Sequence, residues 1–173
     1  MKKKILTLLI LGVTSLGLIG CTGATTETPT KVDSKTTTDQ SNAPQTFKIG
    51  DTIQLKNFNV TVNGVRSLAQ DSKGFTKASE GKEFFLVDCT VENISDKEQS
   101  ISSMLMFKVV DKEGQSYNQS IFTEANGQLD GSVAPTRKIK GEYCVEVPTG
   151  KTGLELVFDS TFLSGGQVIV ELR

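Results

Sequence analysis

The segment at residues 83–95 reads Glu-Phe-Phe-Leu-Val-Asp-Cys-Thr-Val-Glu-Asn-Ile-Ser and carries the clearest structural pattern of the chain. Val87, Cys89 and Val91 alternate with polar residues, so their side chains fall on one face of an extended backbone. This period of two predicts a β-strand with one buried face. Since such a strand needs an opposing layer, the pattern favours packed sheets.

Segments on both sides of this strand repeat its alternation. The apolar alternations lie at residues 53–62, 105–109, 143–147, 154–158 and 168–172. Gly, Asn, Asp and Pro separate them and favour chain reversal. Asn63-Gly64 interrupts the alternation that begins at Phe58, and we expect a β-bulge there. About eight strands (seven to nine) are predicted, which is typical of an all-β, antiparallel β-sandwich over residues 47–173.

Composition and charge exclude several classes of function. Without its first 20 residues the chain keeps 16 Lys plus Arg against 20 Asp plus Glu, so it is mildly acidic. A chain without a basic patch does not fit nucleic-acid binding. The sequence contains no His, which excludes Ser-His-Asp and Cys-His catalysis. It has no glycine-rich phosphate loop or dinucleotide fingerprint, and we expect no cofactor.

The first 20 residues have the form of a signal peptide. Lysines at positions 2–4 precede an uncharged run at 5–19, which is short for a transmembrane helix of about 20 residues. The run ends in Leu18-Ile19-Gly20-Cys21, which resembles the lipobox of bacterial lipoproteins. The resemblance implies that Cys21 becomes the mature N-terminus and carries a diacylglycerol anchor in the cell membrane, with the protein on the extracellular face. The alternative is an ordinary secretory peptide that contains a cysteine.

Residues 21–46 are predicted to be a flexible tether. From position 22 onward this stretch contains nine Thr, two Ser and two Pro, with Val32 as its single large apolar residue. Such a composition buries too little apolar surface to offset the entropy of ordering. A solvated spacer is the simpler interpretation, and glycosylation of the Thr-rich tract is the alternative.

The strand predicted around Leu105 carries a candidate partner site. If the alternation holds, Leu105 points inward. Met104, Met106 and Val110 then point outward and form a small apolar patch beside Lys108. Tyr117 is the one Tyr outside the predicted core faces and joins this candidate site. An exposed apolar patch marks a partner surface. The alternative is that it lies under a neighbouring loop or strand.

Acidic residues in the predicted loops raise the question of calcium binding, because hard cations need clustered oxygen ligands. The candidates are Asp96 with Glu98, Asp111 with Glu113, and Asp130. Their spacing does not match an EF-hand. Solvated acidic loops are the simpler interpretation, and we expect no metal.

The two cysteines of the predicted domain are expected to remain free thiols. By strand alternation Cys89 points into the core, whereas Cys144 points outward with Glu142 and Glu146. A core-spanning disulfide needs both side chains inward, with Cα atoms within about 7 Å. The exported setting permits a disulfide, which is the alternative.

Several landmarks together resemble the uncharacterised domain that follows a lipobox and a Thr/Ser-rich linker in many surface lipoproteins of low-GC Gram-positive bacteria. That family is similar to the mycobacterial immunoprotective extracellular antigen, and the resemblance implies an immunoglobulin-like sandwich. It implies no active site. The landmarks are residues 85–93, Asp111 with Gly114 and Tyr117, Gly141, residues 145–148 and residues 154–158.

These observations favour a noncatalytic, lipid-anchored surface domain that binds an unknown extracellular or envelope protein. An accessory or inhibitory factor of a secreted enzyme or envelope complex is the second interpretation. An enzyme that uses carboxylates without histidine is the third, and it would need at least two convergent polar side chains in one concavity.

Overall fold

The computed structural model describes residues 30–31, 46–160 and 167–173. Within them the chain forms strands and one helical turn, α1, so the predicted all-β class is confirmed. In this part of the chain no helix is long and apolar enough to cross a membrane. The elements are β1 (Thr30–Lys31), β2 (Thr46–Lys48), β3 (Thr52–Gln54), β4 (Phe58–Leu68), β5 (Lys82–Asn93), β6 (Gln99–Ile101), α1 (Ser103–Met106), β7 (Phe107–Asp111), β8 (Ser116–Tyr117), β9 (Gly131–Val133), β10 (Lys138–Pro148), β11 (Leu154–Asp159) and β12 (Gln167–Glu171).

The strands form two five-stranded sheets that pack as an immunoglobulin-like β-sandwich. Sheet A has the order β1-β3-β4-β5-β10, and sheet B has the order β2-β12-β11-β7-β8. β6 and β9 form a separate two-stranded ribbon. The predicted sandwich is confirmed, but one pair is not antiparallel: β2 runs parallel to β12, with Thr46 opposite Ile169. No hairpin joins these two strands, because the chain passes from β2 in sheet B to β3 in sheet A.

β5 lies between β4 and β10 in sheet A, as expected for the strand with the clearest pattern. Val87, Cys89 and Val91 are fully buried in the main core. Sheet B supplies Phe107 and Phe158 to the same core, and their rings meet edge-on with centroids 5.1 Å apart. Edge-on aromatic pairs add about 0.5–1.5 kcal/mol beyond their buried area.

The β-bulge expected at Asn63-Gly64 is confirmed. The pairing of β4 with β5 shifts register between Val62 and Gly64. Beyond the shift β4 continues to Leu68, so it is longer than the alternation in the sequence indicates. A bulge lets the strand bend without ending its pairing.

A second, smaller apolar cluster lies on the other face of sheet A. Phe84 and Leu86 of β5 and Cys144 of β10 pack there with Phe122, whose ring centroid lies 4.7 Å from that of Phe84. Cys144 is therefore directed away from the main core, as predicted, but it is buried because a loop covers it. Cys89 and Cys144 are free thiols on opposite faces of sheet A, and burial raises the pKa of Cys144 to about 12.

Residues 30–31 of the predicted tether have a defined place in the fold. They form β1, which pairs antiparallel with the outer edge of β3. The tether prediction did not include this strand, because the open edge that it occupies is created by distant residues. The signal peptide, Cys21 and the rest of the tether lie outside the described residues.

Thr136 has a left-handed backbone conformation, with φ of 63°. It follows Pro135 in a turn closed by the Arg137 N–H, which donates to the Ala134 carbonyl at 3.1 Å, as in a type II turn. A β-branched residue is strained at positive φ, whereas Gly is not.

Thr136→Gly is expected to stabilise the fold by about 0.5–1 kcal/mol, since relief of about 1–2 kcal/mol of left-handed strain exceeds the added entropy of the unfolded chain. Urea unfolding measures the change. Thr136→Ala keeps a Cβ at the same φ and serves as the control. A midpoint for Thr136→Gly at or below that of Thr136→Ala would show that the turn holds no relievable strain.

Candidate binding surface

α1 interrupts the strand alternation on which the predicted partner site was based. Because residues 103–106 form a helical turn, Met104 and Leu105 point to solvent and are 77% and 67% exposed. Met106 is 1% exposed and belongs to the main core. The predictions that Met106 points outward and that Leu105 points inward are therefore wrong, whereas Met104 is exposed as predicted.

A shallow groove of about 300 Å³ lies beside α1 on the outer face of sheet B. Half-buried Val110 of β7 and Val157 of β11 contribute apolar floor, and Lys108 and Asp159 place one charge of each sign at the groove. Met104 and Leu105 also line it. An apolar strip with charged margins is the usual composition of a protein-binding surface.

α1 is held in place by a partly buried hydrogen-bond network centred on Ser103. The Ser103 N–H donates to Asp130 Oδ1 at 2.8 Å, and the Ser103 hydroxyl donates to Asp130 Oδ2 at 2.7 Å. Gln119 Nε2 donates to Ser103 Oγ at 2.9 Å. Gln119 and Asp130 lie in residues 118–130, the crossing loop, which connects β8 to β9. The network therefore joins α1 to the crossing loop.

The crossing loop adds a third exposed apolar side chain to this region. Ile121 is 91% exposed, and it lines a second shallow groove together with Ser103. We define the apolar patch as Met104, Leu105 and Ile121. Its three members lie on two elements that are fixed to each other through Ser103, so they are presented on an ordered support.

Two glycines let the crossing loop lie directly on β10. Gly127 and Gly141 face each other in an isolated bridge. A Cβ on Gly141 would lie 2.6 Å from the Gln128 nitrogen, and a Cβ on Gly127 would lie 2.5 Å from the Lys140 carbonyl oxygen. These distances are too short for any side chain, so the close backbone contact requires glycine at both positions.

An ion pair between Arg66 of β4 and Glu142 of β10 also fixes the crossing loop. Arg66 of β4 donates two hydrogen bonds of 2.7 Å to the Glu142 carboxylate and a third of 2.8 Å to the Glu124 carbonyl. The Asn126 N–H also donates to Glu142. The hydrogen bond from Arg66 lowers the pKa of Glu142, so this carboxylate stays ionised at neutral pH. A two-pronged Arg–carboxylate pair constrains geometry as well as charge.

A neighbouring loop carries another exposed apolar residue, Phe75, which is 85% exposed. The Asp71 carboxylate shapes this loop by accepting the backbone N–H groups of Phe75 and Thr76 at 2.9 Å. Ser72 binds the Glu124 carboxylate of the crossing loop through both its N–H and its hydroxyl. The loop is therefore attached to the support of the apolar patch.

Tyr117 has a different environment from the apolar patch. Its hydroxyl donates to Asp111 Oδ2 at 2.9 Å, and its ring packs against the main core. Asp111 also pairs with Lys151 at 3.0 Å and accepts the Gln115 N–H. Burial alone would raise the pKa of Asp111, but the hydrogen bonds from Lys151 and Gln115 outweigh it and lower that pKa to about 2. Tyr117 and Asp111 therefore stabilise the turn after β7.

The carboxylates considered for calcium do not converge. Asp111 is paired with Lys151, and Asp130 is bound to Ser103. Across residues 30–31, 46–160 and 167–173, no group of three or more His, Cys, Asp or Glu side chains is placed to share one metal ion. The sequence did not identify Leu105 and Ile121 as candidate site residues. The one local signal was the apolar pair Ile121-Phe122 in an otherwise polar stretch.

Known proteins resemble this chain in sequence or in fold. The protein YxkC of Bacillus subtilis, which is described as uncharacterized, is 33% identical over 116 residues. The match covers 60% of this chain and 63% of YxkC, so the chain spans less than two thirds of that relative.

Several solved structures resemble the fold. The secreted protein MPT63 of Mycobacterium tuberculosis matches with a TM-score of 0.54 at 15% identity, over 76% of this chain and 99% of MPT63. The candidate lipoprotein ycdA of Bacillus subtilis matches with a TM-score of 0.53 at 14% identity, over 66% of this chain and 36% of ycdA. At these identities the likeness concerns the fold alone. At the level of sequence, residues 47–169 match the family described as a domain of unknown function, DUF4352, and the chain belongs to that family.

Proposed function

We propose that this protein is a noncatalytic, lipid-anchored extracellular module that binds a partner protein through the apolar patch. The observation that carries the proposal is the exposure of Met104, Leu105 and Ile121 on elements that hydrogen bonds hold in place. Because the supporting backbone is already ordered, binding does not need to pay the entropy of ordering these segments. The lipobox resemblance at Cys21 supports the anchor, and a secreted protein of the same fold supports an exported location.

The composition of the surface supports a protein as partner rather than a small ligand. The grooves beside α1 are shallow, and their walls mix apolar and charged side chains. Small-molecule sites bury most of their ligand in a deep, largely apolar cleft. Exposed apolar side chains with a shallow groove beside them suit an anchor residue from another protein.

Photo-crosslinking on intact cells tests this proposal. A photoreactive residue at position 105 is expected to capture a defined partner, whereas the same residue at exposed position 98 should not capture it. The combined change Met104→Ser and Leu105→Ser should weaken binding of that partner by about tenfold or more, because each apolar side chain contributes about 1.5–3 kcal/mol when buried. Phe75→Ser is the matched control, since Phe75 is an exposed apolar residue outside the patch.

The outcomes separate the interpretations. Equal capture at positions 105 and 98, or equal loss of binding in Phe75→Ser and the double variant, would contradict the apolar patch as the binding surface. A captured secreted enzyme whose rate changes on binding would identify the module as an accessory or inhibitory factor.

A further inference from the structure

β3 is a short strand whose outer edge is covered by residues 30–31 alone. One edge of β3 pairs with β4, and Ile53 and Gln54 on the other edge pair with residues 31 and 30 of the tether. An unpaired sheet edge offers a row of backbone N–H and C=O groups. Extended segments commonly bind such edges by adding one more strand.

An ion pair between Lys31 and Asp51 favours the pairing of residues 30–31 with the edge of β3. Lys31 Nζ lies 2.8 Å from Asp51 Oδ1, in the residue that precedes β3. Asp51 is itself oriented, because its other carboxylate oxygen accepts the Lys48 N–H at 3.0 Å. The hydrogen bond from Lys31 lowers the pKa of Asp51, so the pair stays charged through the physiological range. The pairing thus combines backbone hydrogen bonds with a charge contact from the same segment.

We infer that the β3 edge is a docking site for the tether, and that docking holds the domain close to the membrane. The inference rests on the proposed anchor at Cys21. Covalent geometry sets the distance: the chain between Cys21 and Thr30 spans at most about 30 Å, whereas the chain between Cys21 and Thr46 could span roughly 85 Å. Docking at Thr30 therefore reduces the maximum height of the domain by more than half.

The order of strands places the docked tether and the crossing loop at opposite edges of sheet A. β1 and β10 are the two outer strands of sheet A, and four spacings of about 4.8 Å put them roughly 19 Å apart. The crossing loop lies on the outer edge of β10, where the Ser120 N–H donates to the Cys144 carbonyl at 2.8 Å. The tether thus leaves from one edge of sheet A, and Ile121 lies beyond the opposite edge.

Disulfide trapping in the full-length chain tests the docking. Thr30 and Gln54 are directly opposed in the register, so Thr30→Cys with Gln54→Cys should form an intramolecular disulfide. Thr30→Cys with Thr52→Cys is the matched control, since that pair is two residues out of register. After alkylation without reductant, peptide mass spectrometry should find the first bond at least about fivefold more often than the second.

Charge variants test the contribution of Lys31. In the trapping background, Lys31→Glu should lower the disulfide yield by about two- to fivefold, which is the scale of an exposed ion pair. Adding Asp51→Lys should restore the yield, because the pair is then reversed. Equal yields from the matched and mismatched cysteine pairs, or disulfides only between two molecules, would overturn docking within one chain.

A separate experiment measures the distance of the domain from the membrane. On cells, the trapped protein and the protein with the native tether should show the same energy transfer from a dye at position 56 to a membrane dye, whereas Lys31→Glu should show less. Equal transfer in Lys31→Glu would overturn the proposed effect on height. Trapping in the Cys21→Ala protein is expected to be unchanged, so loss of the anchor and loss of docking give different results.

Discussion

Replacing Cys21 with Ala is expected to move the protein from the cell membrane to the culture medium, or to leave an uncleaved precursor in the membrane. In the proposed function the acyl chains on Cys21 supply the membrane affinity, at about 0.8 kcal/mol for each buried methylene. Two acyl chains anchor a protein stably in the membrane, whereas a single acyl chain binds only reversibly. The mature chain is mildly acidic and therefore has no electrostatic attraction to anionic lipid that could replace the anchor.

Cell fractionation with immunoblotting measures this change, and salt washing separates the two kinds of attachment. The Cys21 protein should resist a high-salt wash, because its anchor is apolar. Thr22→Ala, at the next position, is the matched control and should stay in the membrane fraction. If the Cys21→Ala protein stayed on cells at its mature mass and was released by high salt, the domain itself would bind the cell surface electrostatically, and the proposed lipid anchor would be wrong.

Gly141→Ala is expected to destabilise the domain by about 2–3 kcal/mol, a typical cost of forcing extra volume into a packed site. The new Cβ would lie within 3.0 Å of three backbone atoms of Gln128. Backbone atoms cannot turn aside as a flexible side chain can, so the crossing loop must lift from β10. For a domain of this size the melting temperature should fall by about 10 °C.

Gly64→Ala is the matched control for this prediction. Gly64 also lies in a strand of sheet A, but a Cβ built on it meets nothing within 4 Å. Limited proteolysis gives a second readout, because a lifted crossing loop should be cleaved faster in Gly141→Ala than in Gly64→Ala. If the two variants melted at the same temperature, the close contact between Gly141 and the crossing loop would not contribute to stability.

The parts of the fold that depend on local pattern could be predicted from the sequence. β5 shows its buried face through Val87, Cys89 and Val91, since alternation needs no knowledge of the rest of the chain. The bulge at Asn63-Gly64 also has a local signal, because the alternation changes phase there. The general architecture follows from these elements, since half-buried strands must pack in layers.

The candidate surface could not be predicted in the same way. Nothing between Ser103 and Met106 distinguishes a helical turn from a strand. The contacts of Ser103 come from Asp130 and Gln119, which are 27 and 16 positions away. The burial of Cys144 likewise depends on Phe122 of the crossing loop. Alternation gives the direction of a side chain, but only tertiary structure shows what covers it.

The parallel pairing of β2 with β12 determines how the domain bears a mechanical load. The chain enters β2 at Thr46, and β12 ends at Glu171. Because the two strands run in the same direction, these points lie at opposite ends of the pair. A pull between them acts along the strands, so the hydrogen bonds between β2 and β12 share the force and must break together. Once β1 has separated from β3, tension applied through the N-terminal segment and resisted at the far end of β12 therefore meets a shear contact, which yields at a higher force than a pair opened one hydrogen bond at a time.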